Sequence, residues 1–93
     1  MREIVRQSAF KRDYKREKKG KHRGTLDDRL REVLAFLVRD VALPTSFKDH
    51  TMGGKWHDCR NCHIKPDLML LYRKTDDDGL DLVRLGSHSE LGI

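Results

Sequence analysis

The chain reads as an α+β protein in which two N-terminal helices pack on a twisted antiparallel sheet. Three observations predict this. Apolar side chains recur at helical spacing from Leu26 to Val41, and apolar-centred runs separated by turn residues fill the second half of the chain. The helices come first and the strands follow, an order that suits a layer of helices on one face of a meander with the other face open. Ninety-three residues, 37% hydrophobic and 38% charged, supply one thin core, so residues 1–93 are read as a single domain.

Taken in order, Glu3 to Gln7 is a short first strand, and the Ser8 hydroxyl is placed to cap the helix that follows. Phe10 and Tyr14 stand four apart on one face of that helix, while Lys11, Arg12, Lys15, Arg16, Lys18 and Lys19 fill the others. Gly20 and Gly24 punctuate a link. Thr25 with Asp28 resembles a capping box, and Leu26, Leu30, Val33, Leu34, Leu37 and Val41 lay one apolar stripe on the core. Pro44 and the residue before it end this second helix by about Leu43. Gly53-Gly54 marks a flexible loop. Strands are expected over Trp56–Ile64, Asp67–Lys74 and Leu80–Leu85. Lys65-Pro66 makes a tight turn, and Asp76-Asp77-Asp78-Gly79 a hairpin turn with Gly79 at the positive-φ position.

The net charge of +5 is unevenly distributed. Residues 1–24 carry ten Lys or Arg against Glu3, Asp13 and Glu17, whereas the rest of the chain holds ten basic and twelve acidic side chains. A basic block on a near-neutral domain points to a polyanion, nucleic acid by default; a solvated helix face is the plainer alternative. No stretch has the apolar length of a membrane span and the N-terminus is not a signal peptide, so a cytoplasmic location with reduced thiols at Cys59 and Cys62 is expected.

Three of the five histidines, both cysteines and the only Trp fall between Phe47 and Asp67. Cys59-Arg60-Asn61-Cys62-His63 matches a haem-attachment pattern. Without an export signal, with residues three apart on opposite faces of a strand, and with few apolar residues to wrap a haem, that reading is set aside. His50, His57, Cys59, Cys62 and His63 are competent zinc ligands, but structural zinc sites usually need two close pairs and only one Cys pair is present. The cysteines are therefore read as small strand residues. His63 alternates to the face opposite Cys62 and Ile64, and the Lys65-Pro66 turn can return Asp67 beside it. A carboxylate there would raise the imidazole pKa and hold the ring. The same two residues also fit an ordinary surface His–Asp pair. With His50 on the loop and His88 after the last strand, the imidazoles form a possible acid–base set. RNA cleavage by internal attack requires such a set: a group to take the 2′-hydroxyl proton, another to protonate the departing 5′-oxygen, and a cation to stabilise the phosphorane, all without metal or cofactor.

Lys48-Asp49-His50, Gly54-Lys55-Trp56, Arg60, His63, Pro66-Asp67, Leu71-Tyr72 and Gly86-Ser87-His88-Ser89-Glu90-Leu91 together resemble, in content and order, the RelE/ParE-type bacterial toxins, with the YafQ-like branch most similar. The resemblance covers almost the whole chain. It implies a microbial-ribonuclease-like fold and a toxin that cuts mRNA in the ribosomal A site, leaving a 2′,3′-cyclic or 3′ phosphate and a 5′ hydroxyl. His50, His63, Asp67 and His88 fall on the family's functional positions. It also implies a cognate DinJ-like antitoxin with a ribbon-helix-helix region. Lys11, Lys15 and Arg16 are assigned to ribosomal RNA phosphates, and Lys48, Lys55 and Arg60 to the mRNA backbone. Where the family commonly has a Phe after the C-terminal leucine, this chain has Gly92-Ile93. A non-catalytic member of the same fold, acting on gyrase in the ParE manner, is the rival reading; it has no need of imidazoles in these places.

Overall fold

The computed structural model describes residues 1–93. Strand β1 (Glu3–Arg6) leads into helix α1 (Ser8–Lys18), and a short link leads to α2 (Leu26–Val38). The chain then runs to the far side of the sheet, where β2 (His50–Thr51) begins a meander through β3 (Arg60–Lys65), β4 (Leu68–Lys74) and β5 (Gly79–Gly86), before a last short helix, α3 (His88–Leu91). The strand order is β1-β5-β4-β3-β2. The meander is antiparallel as expected, but β1 pairs with β5 in parallel, from Glu3 opposite Gly79 to Arg6 opposite Leu82. The sheet is therefore mixed. A parallel pair cannot be closed by a hairpin, and here the two helices and the meander supply the long connection between β1 and β5.

Alternation along β3, β4 and β5 divides the apolar residues between two faces. Cys62, Ile64, Leu68, Leu70, Tyr72, Leu80, Leu82 and Leu85 meet Phe10, Leu26, Leu30, Val33, Leu37 and Phe47 in the main core beneath the helices. On the opposite face Met69, Leu71 and Leu91 form a smaller cluster with Met52, Trp56 and Val83 packed on it. This second face is thus partly covered by α3 and the loop between β2 and β3, where the sequence suggested an open one. Strand β4 is buried on both sides, which is why Leu68 to Tyr72 is a continuous apolar run instead of an alternating one.

Several boundaries differ from expectation for local reasons. Helix α1 begins at Ser8 itself, and neither first-turn cap is made by a side chain; the Thr25 hydroxyl instead accepts from Lys65 Nζ at 2.6 Å. Helix α2 stops at Val38, five residues short of Leu43, because Asp40 adopts φ 57°. The Asp40 and Val41 N–H groups donate back to the Leu37 and Phe36 carbonyls, a Schellman closure with Asp in the usual glycine place. Val41 is left half-exposed beyond it. The expected strand from Trp56 starts only at Arg60, since Gly54–Trp56 closes a 3₁₀ turn. In the β4–β5 turn the positive φ falls on Asp78 and not on Gly79. Gly79 is needed for space, as a Cβ there would stand 2.5 Å from Thr75 Oγ1. No helix is long and apolar enough to cross a membrane.

Candidate active site

The sheet register brings three histidines to the face away from α1 and α2. On β3, Asn61 and His63 point to that face, and His50 on β2 is paired directly with Asn61. Opposite residues of an antiparallel pair share a face, so His50 lies on the diagonal to His63. Across the other ladder, His63 is paired with Met69, and Met69 with Gly86. Two residues past Gly86 the chain turns into α3 and lays His88 back over this row. The His63 and His88 ring centroids are 5.6 Å apart, edge to face at 63°. Immediately after His63 a β-bulge breaks the register of β3 against β4, so that Lys65 is opposite Leu68.

The electrostatics favour neutral imidazole at the centre. Burial, first, and then the neighbouring His88, Lys48 and His50 lower the His63 pKa below the ordinary 6.5, against an opposing pull from the Pro66 carbonyl. His50 Nδ1 lies 2.7 Å from the Lys48 carbonyl oxygen. A carbonyl only accepts, so Nδ1 is the donor in this pair and Nε2 is the ring nitrogen left to meet a substrate. Beside His63 a hollow of about 210 Å³ is lined by Arg29, Ser46, Lys48, His63, Lys65 and Pro66. Its cationic side chains are suited to a phosphate.

The loop that carries His50 is held by one carboxylate. Asp49 accepts from Arg60 through Nε at 3.2 Å and Nη2 at 3.1 Å, and from the Tyr72 hydroxyl at 2.6 Å. Arg60, expected on the mRNA backbone, is therefore an anchor for this loop. Lys48 is exposed at the hollow, with its backbone at φ 53°, and Lys55 lies over the Trp56 ring at 5.1 Å.

Asp67 does not join the imidazoles. No hydrogen bond or ion pair links it to His63; it lies 3.5 Å from Lys21 Nζ and lines a separate hollow with Arg16, Glu17, Gly20, Lys21, His22, Ser87 and Glu90. The Pro66-Asp67 turn sends the carboxylate toward Lys21 in the α1–α2 link, and the His63 pKa, expected to rise, is lowered. Lys11 and Lys15 are exposed on α1, away from the histidines. Arg16 is occupied within the fold, by Asp13, Glu17, Glu90 and the Leu85 carbonyl.

The remaining ligand-competent side chains are dispersed. Cys62 packs in the main core and its thiol is pushed up to about 12 by burial, while burial and Asp58 push Cys59 up to about 11. His57 is exposed, with Nδ1 3.2 Å from the Gly54 carbonyl. Sequence reasoning missed Arg29, Ser46 and Lys65 on the rim of the hollow. Lys65 stands between two residues that were singled out and was open to notice, whereas Arg29 reaches the site from α2, where its Nε donates to the Ile64 carbonyl at 2.9 Å.

The family model described as a bacterial toxin of type II toxin-antitoxin system, YafQ, matches residues 2–92. The mRNA interferase toxin YafQ of Escherichia coli (strain B / BL21-DE3) is 31% identical over 91 residues, which cover 97% of this chain and 95% of that protein. Among solved structures, the toxin of the E. coli DinJ-YafQ toxin-antitoxin complex superposes with a TM-score of 0.82 at 31% identity, over 97% of this chain and 96% of that one. A metal-bound toxin from Helicobacter pylori gives 0.81 at 36% identity, over 98% and 99%.

Proposed function

Because the chain belongs to the YafQ family of type II toxin-antitoxin toxins, we propose that it is an endoribonuclease that cleaves mRNA in the ribosomal A site, in the cytoplasm, and so inhibits translation. The mRNA interferase relative supports the activity class. The observation that carries the chemistry is the convergence of His63, His88 and His50 beside a cationic hollow.

In this reading neutral His63 takes the 2′-hydroxyl proton. The 2′-oxygen attacks the adjacent phosphorus, and the bond to the 5′-oxygen breaks as His88 protonates it. The products are a 2′,3′-cyclic phosphate and a 5′ hydroxyl. His50, with Nε2 free, is a second acceptor beside the attacking group. Lys48, the exposed cation nearest these rings, stabilises charge on the phosphorane. The proton inventory closes with imidazoles alone and uses no metal. Asp67, apart from the imidazoles and 3.5 Å from Lys21 Nζ, is assigned with Lys21 to an RNA contact outside the proton transfers, and Lys55 offers a further backbone contact. A DinJ-like ribbon-helix-helix antitoxin is the partner that silences the toxin, by analogy with the DinJ-YafQ complex.

The test is mRNA cleavage on programmed 70S ribosomes. His63→Ala and His88→Ala are each expected to lower the single-turnover rate by about 10²- to 10⁴-fold, the usual contribution of a positioned acid or base. Wild-type rates in both would remove the assignment. Growth arrest with intact mRNA and damaged DNA would favour the gyrase-directed alternative.

A further inference from the structure

Helix α3 has four residues, far too few to hold its own shape, yet it must keep the His88 ring within 5.6 Å of His63. Part of the answer is its own N-terminus. Ser87 Oγ accepts from the Glu90 N–H at 3.1 Å and Glu90 Oε1 accepts from the Ser87 N–H at 2.9 Å, a complete capping box. Leu91 is buried beneath it. A cap only shapes the turn, however; it does not say where the turn sits on the sheet.

Leu91 rests on Met69 and Leu71, and α1 adds a polar tie. Arg16 Nη2 donates to the Leu85 carbonyl at 2.8 Å, and Nε lies 3.0 Å from the second Glu90 carboxylate oxygen. The same guanidinium is held by Glu17 at 2.9 Å and by buried Asp13 at 3.0 Å. One planar cation thus ties the end of β5 to the capping carboxylate of α3. Gly86 is shaped for it: a Cβ there would stand 2.8 Å from Arg16 Nη2 and 3.2 Å from Glu90 Oε1.

We propose that Arg16, seated by Asp13 and Glu17 against Gly86, is a positioning residue that sets the His88 imidazole through Glu90 and the Ser87 cap. The proposal rests on the assignment of His88 to the chemistry. The rival is the sequence expectation that Arg16 binds ribosomal RNA phosphates, and its side chain keeps 39% of its solvent exposure. The two roles differ in what they do to turnover and to binding. A phosphate ligand lost weakens association and lowers its salt dependence, whereas a misplaced acid slows the reaction on ribosomes already bound.

The experiment compares wild type with Arg16→Gln, Arg16→Lys, Glu90→Gln and Gly86→Ala, measuring kcat and half-saturation on programmed ribosomes. NMR of the free toxin follows the His88 ring signals and the exchange of the Ser87 and Glu90 amides. Arg16→Gln and Gly86→Ala are expected to lower kcat by about tenfold to a hundredfold, the cost of displacing a reacting group by about 1 Å, with half-saturation unchanged. Both shift the His88 ring signals and speed amide exchange in α3, and Arg16→Lys restores part of each. Raised half-saturation with unchanged kcat, or unaltered His88 and α3 signals, would overturn the proposal. If Arg16→Gln fails to fold, Glu90→Gln carries the same expectations, since it leaves Arg16 bound to Asp13 and Glu17. Should His88→Ala prove fully active, the functional assignment of His88 fails by itself, while the ring and amide signals still judge the positioning.

Discussion

At the scale of single residues, the site depends on which imidazole is neutral. Burial and the nearby His88, Lys48 and His50 place the His63 pKa below 6.5, so His63 is in its basic form across the neutral range. If it is the base, kcat/KM should rise with pH through an acid limb whose midpoint lies below 6.5, because protonation of His63 removes the acceptor. Lys48→Gln removes a cation that disfavours imidazolium, so it should move that limb upward. A pH–rate profile on programmed ribosomes reads both effects. An acid limb at or above pH 7 in the wild type, or one that Lys48→Gln leaves in place, would exclude His63 as the titrating base. The identity of these residues was open to reading in the sequence because chemistry-bearing side chains were crowded into a few motifs. Their partners were not. Asp67 follows His63 by only four positions, yet the turn between them sends it to Lys21, and sequence distance says nothing about such a swing.

At the scale of elements, α1 shows why a pattern can be read correctly and still hide its content. Phe10, Asp13, Tyr14 and Glu17 lie on one stripe at helical spacing, and half of that stripe is acidic. Both acids are buried. Asp13 accepts from Arg84 Nε at 2.6 Å and Nη2 at 3.2 Å, from the Leu85 N–H at 3.0 Å and from Arg16. Burial alone would raise its pKa, but the Arg84 hydrogen bond and the Leu85 N–H outweigh burial and hold it below 3.8. A depressed carboxylate contributes stability above the unfolded-state pKa and loses it as pH falls through the folded value. Asp13→Asn, which leaves Arg84 without its charge partner, should therefore cost about 3 kcal/mol at neutral pH, as broken buried pairs do. The gap to wild type should narrow as pH drops below about 4. Urea unfolding at pH 7 and pH 3 measures this, and equal stabilities at pH 7 would refute it. Nothing in α1 announces a partner from β5, so the sequence supports the helix and leaves the burial of its acids invisible. The two-residue β2 and four-residue α3 were likewise beyond a reading based on periodicity, because neither spans enough residues to show a period.

At the scale of the molecule, the basic surplus of the first 24 residues divides into charges that hold the fold and charges that face solvent. Arg2 is tied to Asp40 and to the Thr75 and Gly79 carbonyls, Arg16 to α3, and Lys18 to Asp27. Lys11 and Lys15 remain exposed on α1, and neither lines the hollow beside His63. The protein therefore has two separate cationic surfaces, and the proposed function gives them different duties, one at the reacting phosphate and one in association with the ribosome's RNA. This separation makes a prediction that neither surface makes alone. Lys11→Gln with Lys15→Gln should flatten the dependence of log affinity on log salt by about one per lysine, weaken ribosome binding most at low salt, and leave kcat unchanged. Lys48→Gln should do the reverse, lowering kcat while barely altering the salt slope, since its work begins only once the RNA is bound. Ribosome association measured across a salt series, beside single-turnover cleavage at saturation, tests the division. A loss of kcat in the α1 double variant would show that this surface also shapes the site. An unchanged slope would show that the basic helix is no more than a solvated face, and the hollow beside His63 would then be the one cationic surface left to meet a polyanion.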